Sequence, residues 1–169
     1  MNKVYGLLTE FAPIRNDRSR LIIGYEMEPV GDGVHATWYE IYKYRKITPN
    51  VNVKEEILAD INAQTDQKIL TGFEWEGKKV WLSSENQFNF KAAHDLAVQT
   101  NGESLPVKFK LGEEEDGTPV YHNFDTLAEI QDFYTKAIAF INTCLNEGWE
   151  RKDAIDWSEY GITTDNENV

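Results

Sequence analysis

Two spacings of apolar residues alternate along this chain. In RLIIGYEMEPVGDGVHATWYEIYKYR, Arg20 to Arg45, the period is two: Leu21, Ile23, Tyr25 and Met27 on one arm, Trp38, Tyr42 and Tyr44 on the other. This alternation about a Pro-, Gly- and Asp-bearing bend predicts two antiparallel strands. KITPNVN then breaks the pattern, and its Pro49 and asparagines mark the best candidate boundary. Beyond it the period lengthens. Val53, Ile57 and Ile61 recur every four residues, with Glu55 and Glu56 where the positive end of a helix dipole favours acids. Gly72 ends that helix, and FEWEGKKVWL, Phe73 to Leu82, reads as a tight hairpin bent at Glu76-Gly77-Lys78.

SSENQ, Ser83 to Gln87, reads first as a helix start, with Ser83 or Ser84 as N-cap and Ser84 with Gln87 at capping-box spacing. Phe88, Ala92 and Leu96 then recur every four residues, and Asn101-Gly102 closes the helix. A second hairpin is expected over Val107 to Leu111 and Val120 to Phe124, around an acidic turn. Asp125 or Thr126 opens the longest helix, with Glu129 completing a box and Leu127, Ile130, Tyr134, Ala137, Ile141 and Leu145 as its stripe. The polar segment after Trp157 is expected to be disordered on its own.

The expected fold class is therefore α+β: an N-terminal antiparallel β-hairpin followed by a helix-hairpin-helix-hairpin-helix domain with a long C-terminal helix. The expected divisions are a hairpin extension over 1–50, the α+β domain over 51–158 and an acidic tail over 159–169. Removing the hairpin is expected to leave 53–157 folded and soluble.

Charge sharpens this division. The chain of 169 residues carries −12, but Met1 to Asn52 has 7 Lys/Arg against 6 Asp/Glu and Val53 to Val169 has 10 against 23. The acidic second part repels a phosphate backbone, which makes nucleic acid an unlikely partner; only Arg15/Arg18/Arg20 and Lys43/Arg45/Lys46 oppose it. No apolar run approaches bilayer length and MNKVYGLLTEFAPIR has no h-region, so the expectation is a cytosolic chain with no membrane partner.

Reactive chemistry is not visible. His35, His94 and His122 lie in three different elements without zinc spacing. EEEDG, Glu113 to Gly117, lacks the alternating oxygens and distant Glu of a calcium loop. Cys144 is one thiol on an apolar stripe, expected to be buried and slow to react. His94-Asp95 lacks a third group to make it an acid-base couple. No cofactor, metal site or catalytic residue is expected, and the chain reads as a non-enzyme. The aromatic row of Trp38, Tyr42 and Tyr44 is the candidate interface, with burial in the hairpin's own core as its first reading, a protein neighbour its second and a glycan its third. The hairpin, aromatic-rich and with unpaired outer edges, is the expected attachment element.

The central stretch resembles an uncharacterised domain of tail and other virion-associated proteins of phages and prophages. The pattern G-F-x-W-x-G-x-x-V-x-L followed by S-x-E-x-Q-x-N is met at Gly72, Phe73, Trp75, Gly77, Val80, Leu82, Ser83, Glu85, Gln87 and Asn89. The resemblance covers about Val53 to Trp157. It implies a phage particle assembled in the bacterial cytoplasm as the setting, and other virion proteins as partners, with self-association open. It transfers no activity. The leading expectation is a structural or accessory virion protein; the alternatives are an acidic inhibitor mimicking nucleic acid and a virion or tail-fibre assembly chaperone.

Overall fold

The computed structural model describes residues 2–44 and 50–162. It is a mixed α/β chain with three α-helices and several antiparallel sheets. In chain order the elements are β1 (Asn2–Leu7), a 3-10 turn (Leu8–Glu10), β2 (Ile14–Asp17), β3 (Arg20–Pro29), β4 (His35–Tyr44), α1 (Val53–Thr71), β5 (Phe73–Trp75), β6 (Lys78–Val80), α2 (Ser84–Gln99), β7 (Val107–Glu113), β8 (Pro119–Phe124), α3 (Leu127–Asp153) and a closing 3-10 turn (Trp157–Tyr160).

The expected fold class is corrected at two points. The N-terminal part is a four-stranded antiparallel sheet of order β1-β4-β3-β2, because the first 17 residues supply a partner for each outer edge of the β3/β4 hairpin. Nor do the later helices and hairpins stand apart as a helix-hairpin-helix-hairpin-helix domain. The chain forms two compact units, residues 1–64 with 148–169 and residues 65–147, so the first part of α1 and the end of α3 fold with the sheet. The physical reason is burial: Ile57 and Ile61, fully buried on α1, find their cover in Leu21, Ile23 and Tyr25 of β3.

In the first unit those residues form the core, with Tyr39, Ile41, Val53, Ile155, Trp157 and Tyr160 packed around it. The other face of the sheet is closed by the connection from β1 to β2. Phe11 meets Trp38 edge-on at 5.9 Å, and a Cβ at Gly24 would come within 2.8 Å of the Ala12 carbonyl. The segment expected to be disordered is partly structured: Asp156 caps the closing turn and the Tyr160 hydroxyl donates to the Gly24 carbonyl at 2.8 Å. Pro49 and residues 163–169 lie outside the described residues.

The second unit is built on aromatic rings. Phe73, Trp75, Phe90 and Phe124 surround Phe133 with centroids 4.9–6.1 Å away. The β5/β6 turn takes left-handed angles at both Glu76 (φ 49) and Gly77 (φ 72), the two-residue bend whose twist suits a hairpin. Beside it β7 approaches closely: the Trp81 amide donates to the Leu111 carbonyl at 2.7 Å, and a Cβ at Gly112 would meet the Lys79 carbonyl at 2.9 Å.

Candidate functional site

The sheet holds the aromatic row singled out from the sequence. Alternation on β4 puts Trp38, Tyr42 and Tyr44 on one face, yet their environments differ. Trp38 is 2% exposed and Tyr44 is 53% exposed. Between them lies Glu40, a buried carboxylate. Trp38 Nε1 and Arg15 Nη2 donate to Glu40 Oε1 at 2.9 and 3.1 Å, and the Tyr42 hydroxyl donates to Oε2. The bond to Glu40, then burial, raises the Tyr42 pKa. Trp38 is thus core, and Tyr42 is a ligand of a buried charge.

The opposite face of the same sheet carries a larger network. Tyr25 donates to Asp60 Oδ2 at 2.5 Å, and Gln64 Nε2 donates to both the Tyr25 hydroxyl (2.8 Å) and Asp60 Oδ2 (2.9 Å). Arg151 clamps Glu26 with two bonds of 2.9 and 2.8 Å, bonds Gln64 Oε1 at 2.8 Å and lies over the Tyr39 ring. Such fork-to-carboxylate geometry is the strong form of an ion pair. Glu26 reaches Arg151 from a β-bulge in β3, where its φ is +53. Burial first, then the Asp60 bond and charge, push the Tyr25 hydroxyl far above its ordinary pKa. Every buried side-chain oxygen or nitrogen among the described residues has a partner, so the network is closed rather than waiting for a ligand.

In the second unit, His122 sits between charges. Lys78 Nζ reaches its Nδ1 at 3.1 Å and Glu129 Oε1 lies 2.8 Å from its Nε2. An ammonium can only donate, so Nδ1 accepts and Nε2 carries the proton to Glu129. Both nitrogens are engaged. Glu129 also accepts from the Asp125 amide at 3.0 Å; burial raises its pKa, and that amide with His122 outweighs burial and leaves it lowered. Trp75 donates to Asp132 at 3.0 Å on the same side. His94 is stacked on Tyr134 at 4.4 Å, with Nδ1 3.2 Å from Asp95. Cys144 is buried, and burial raises its thiol pKa. Beside the β7/β8 turn a depression of about 360 Å³ is lined by Lys79, Glu113, Glu114, Glu115 and Asp116. Among the described residues no group of three or more His, Cys, Asp or Glu side chains is placed to hold a metal.

SSENQ opens α2. Ser83 is the N-cap and accepts from the Asn86 amide at 3.2 Å; Asn86 and Gln87 turn their side chains back onto the Trp81 and Leu82 carbonyls. The stripe beyond it points outward. Phe90 and Ala97 are the buried residues of α2, whereas Phe88 is 72% and Leu96 51% exposed, with Ala92 exposed between them. The sequence offers no signal to choose between these faces, since both sets recur at helical spacing.

Residues 52–168 match the family described as Domain of unknown function (DUF4376). The chain belongs to the DUF4376 family. No curated protein and no solved structure matches it. The DUF4376 segment supplies Asp60, Gln64 and Arg151 to the network of the first unit, while Tyr25, Glu26 and Tyr39 come from the sheet that precedes it. The outward stripe of α2 belongs wholly to the DUF4376 segment, and no described helix is long and apolar enough to cross a membrane.

Proposed function

We propose that this protein is a non-enzymatic structural or accessory component of a phage particle, assembled in the bacterial cytoplasm and working through contacts with other virion proteins. The setting rests on the motif from Gly72 to Asn89. The mode of action rests on one observation: Phe88 and Leu96 stand exposed on one face of a well-capped helix. An apolar stripe left exposed on one helix face is among the features that mark protein contacts.

Mass spectrometry of purified particles tests the reading. The protein is expected at stoichiometric amounts in mature particles, and Phe88→Asp is expected to remove it. Presence only in immature particles would instead make it an assembly chaperone, and absence from every particle form would end the virion reading.

A further inference from the structure

Within the first unit, the start of α1 and the end of α3 present a face to the sheet. All of β1–β4 lies before residue 52, where the family match begins, whereas both helices lie inside it. Ile57 and Ile61 give the face an apolar floor under Leu21, Ile23 and Tyr25. Around that floor directional bonds cross from one piece to the other: Arg151 to Glu26, Asp60 and Gln64 to Tyr25, Glu56 to Lys43 at 2.5 Å, and the Tyr160 hydroxyl to the Gly24 carbonyl. Contacts between docked pieces are more polar than a core, and this one has that character.

Glu26 shows which of these bonds discriminates. Left-handed angles are costly for a residue with a Cβ, yet Glu26 adopts them at φ +53, where β3 bulges between Tyr25 and Glu28. The sheet gains no side-chain bond of its own from this distortion, because both bonds to the Glu26 carboxylate come from Arg151. The bulge aims an acid across the boundary at a guanidinium. That cation stands on an acidic segment, Val53 to Val169 carrying 10 Lys/Arg against 23 Asp/Glu, so an acid is welcome there only where Arg151 receives it.

We infer that the face formed by the start of α1 and the end of α3 is a docking surface for an antiparallel sheet that bears a tyrosine-acid pair at a left-handed bulge, that Arg151 selects this sheet, and that residues 2–44 fill the surface in cis. This role goes beyond the virion reading and stands whether or not the chain enters a particle.

A protease recognition sequence placed between Tyr44 and Asn50 lets the folded full chain be cut there. The two pieces are expected to elute together at micromolar concentration, with the circular dichroism spectrum of the uncut protein, and to part only on further dilution. Pieces that separate as soon as the chain is cut overturn the inference. Glu26→Gln should weaken the cut pair about tenfold or more, because it leaves the partly buried Arg151 without its counter-ion. Glu26→Gly fits the left-handed backbone and should weaken it as much, which separates loss of the clamp from loss of the bulge. Arg151→Gln should act like Glu26→Gln, and the double variant should lose little more than either alone. A cut pair indifferent to Glu26→Gln, or losses from the two variants that simply add, would show that the apolar floor holds the sheet without selection by Arg151, and would overturn the inference.

Discussion

Around Tyr25 the first unit is held by directional bonds, in which a hydroxyl, two carboxylates, an amide and a guanidinium each find a partner beside three isoleucines and a leucine. Around Phe133 the second unit is held by shape, with four rings closing on a fifth. Shape tolerates changes that keep volume, whereas each deletion from a buried polar set strands another group in low dielectric. The two units should therefore fail differently.

The most drastic separation of the two is removal of residues 1–48. Ile57 and Ile61 would lose the strand that covers them, each exposing about 1.5–3 kcal/mol worth of apolar side chain. The sequence pattern leads to a folded, soluble 53–157, but the packing of Ile57 and Ile61 on β3 reverses that expectation: the remainder should aggregate and bind a hydrophobic dye, and a soluble monomer would show that α1 finds other cover. Next in size is Trp75→Ala, which opens a cavity in the ring cluster and takes a donor from Asp132. A loss of about 3–5 kcal/mol is expected in urea unfolding.

The polar core answers to alkali. Tyr25 holds its proton more tightly folded than unfolded, so its contribution is complete below the unfolded value of 10.0 and declines as pH rises through the raised folded value. Above pH 10 the stability should fall by up to about 1.4 kcal/mol per pH unit for this group. Tyr25→Phe should be less stable at neutral pH and show a shallower alkaline slope. An unchanged slope in that variant would assign the loss to other tyrosines, Tyr160 first, whose pKa burial also raises. The smallest effect expected is from Ser83→Ala, about 1 kcal/mol, with the outward face of α2 left intact.

Local signals were readable wherever neighbours in sequence decide the structure. The strands β3 and β4, the Glu76-Gly77 bend and the caps at Ser83 and Thr126 all depend on residues a few positions apart. Strands β1 and β2 were not readable, because NKVYGL lacks a clean alternation and IRND is four mostly polar residues that become a strand only by lying beside β3. The polar network was invisible for a different reason. Glu26 and Arg151 are 125 positions apart, and each alone looks like a surface charge. On α2 the period was legible but its phase was not: Phe88, Ala92 and Leu96 promised a core face, and Phe90 and Ala97 took it.

The carboxylate on the β3 bulge bears on whether this segment could be transplanted. Arg151 arrives with the DUF4376 segment and Glu26 does not, so a chimera that gives residues 52–168 a new N-terminal sheet inherits a half-buried cation without its counter-ion. A host sheet would need an acid at a left-handed bulge facing the end of α3, or a companion change of Arg151 to an apolar residue, before the graft could fold.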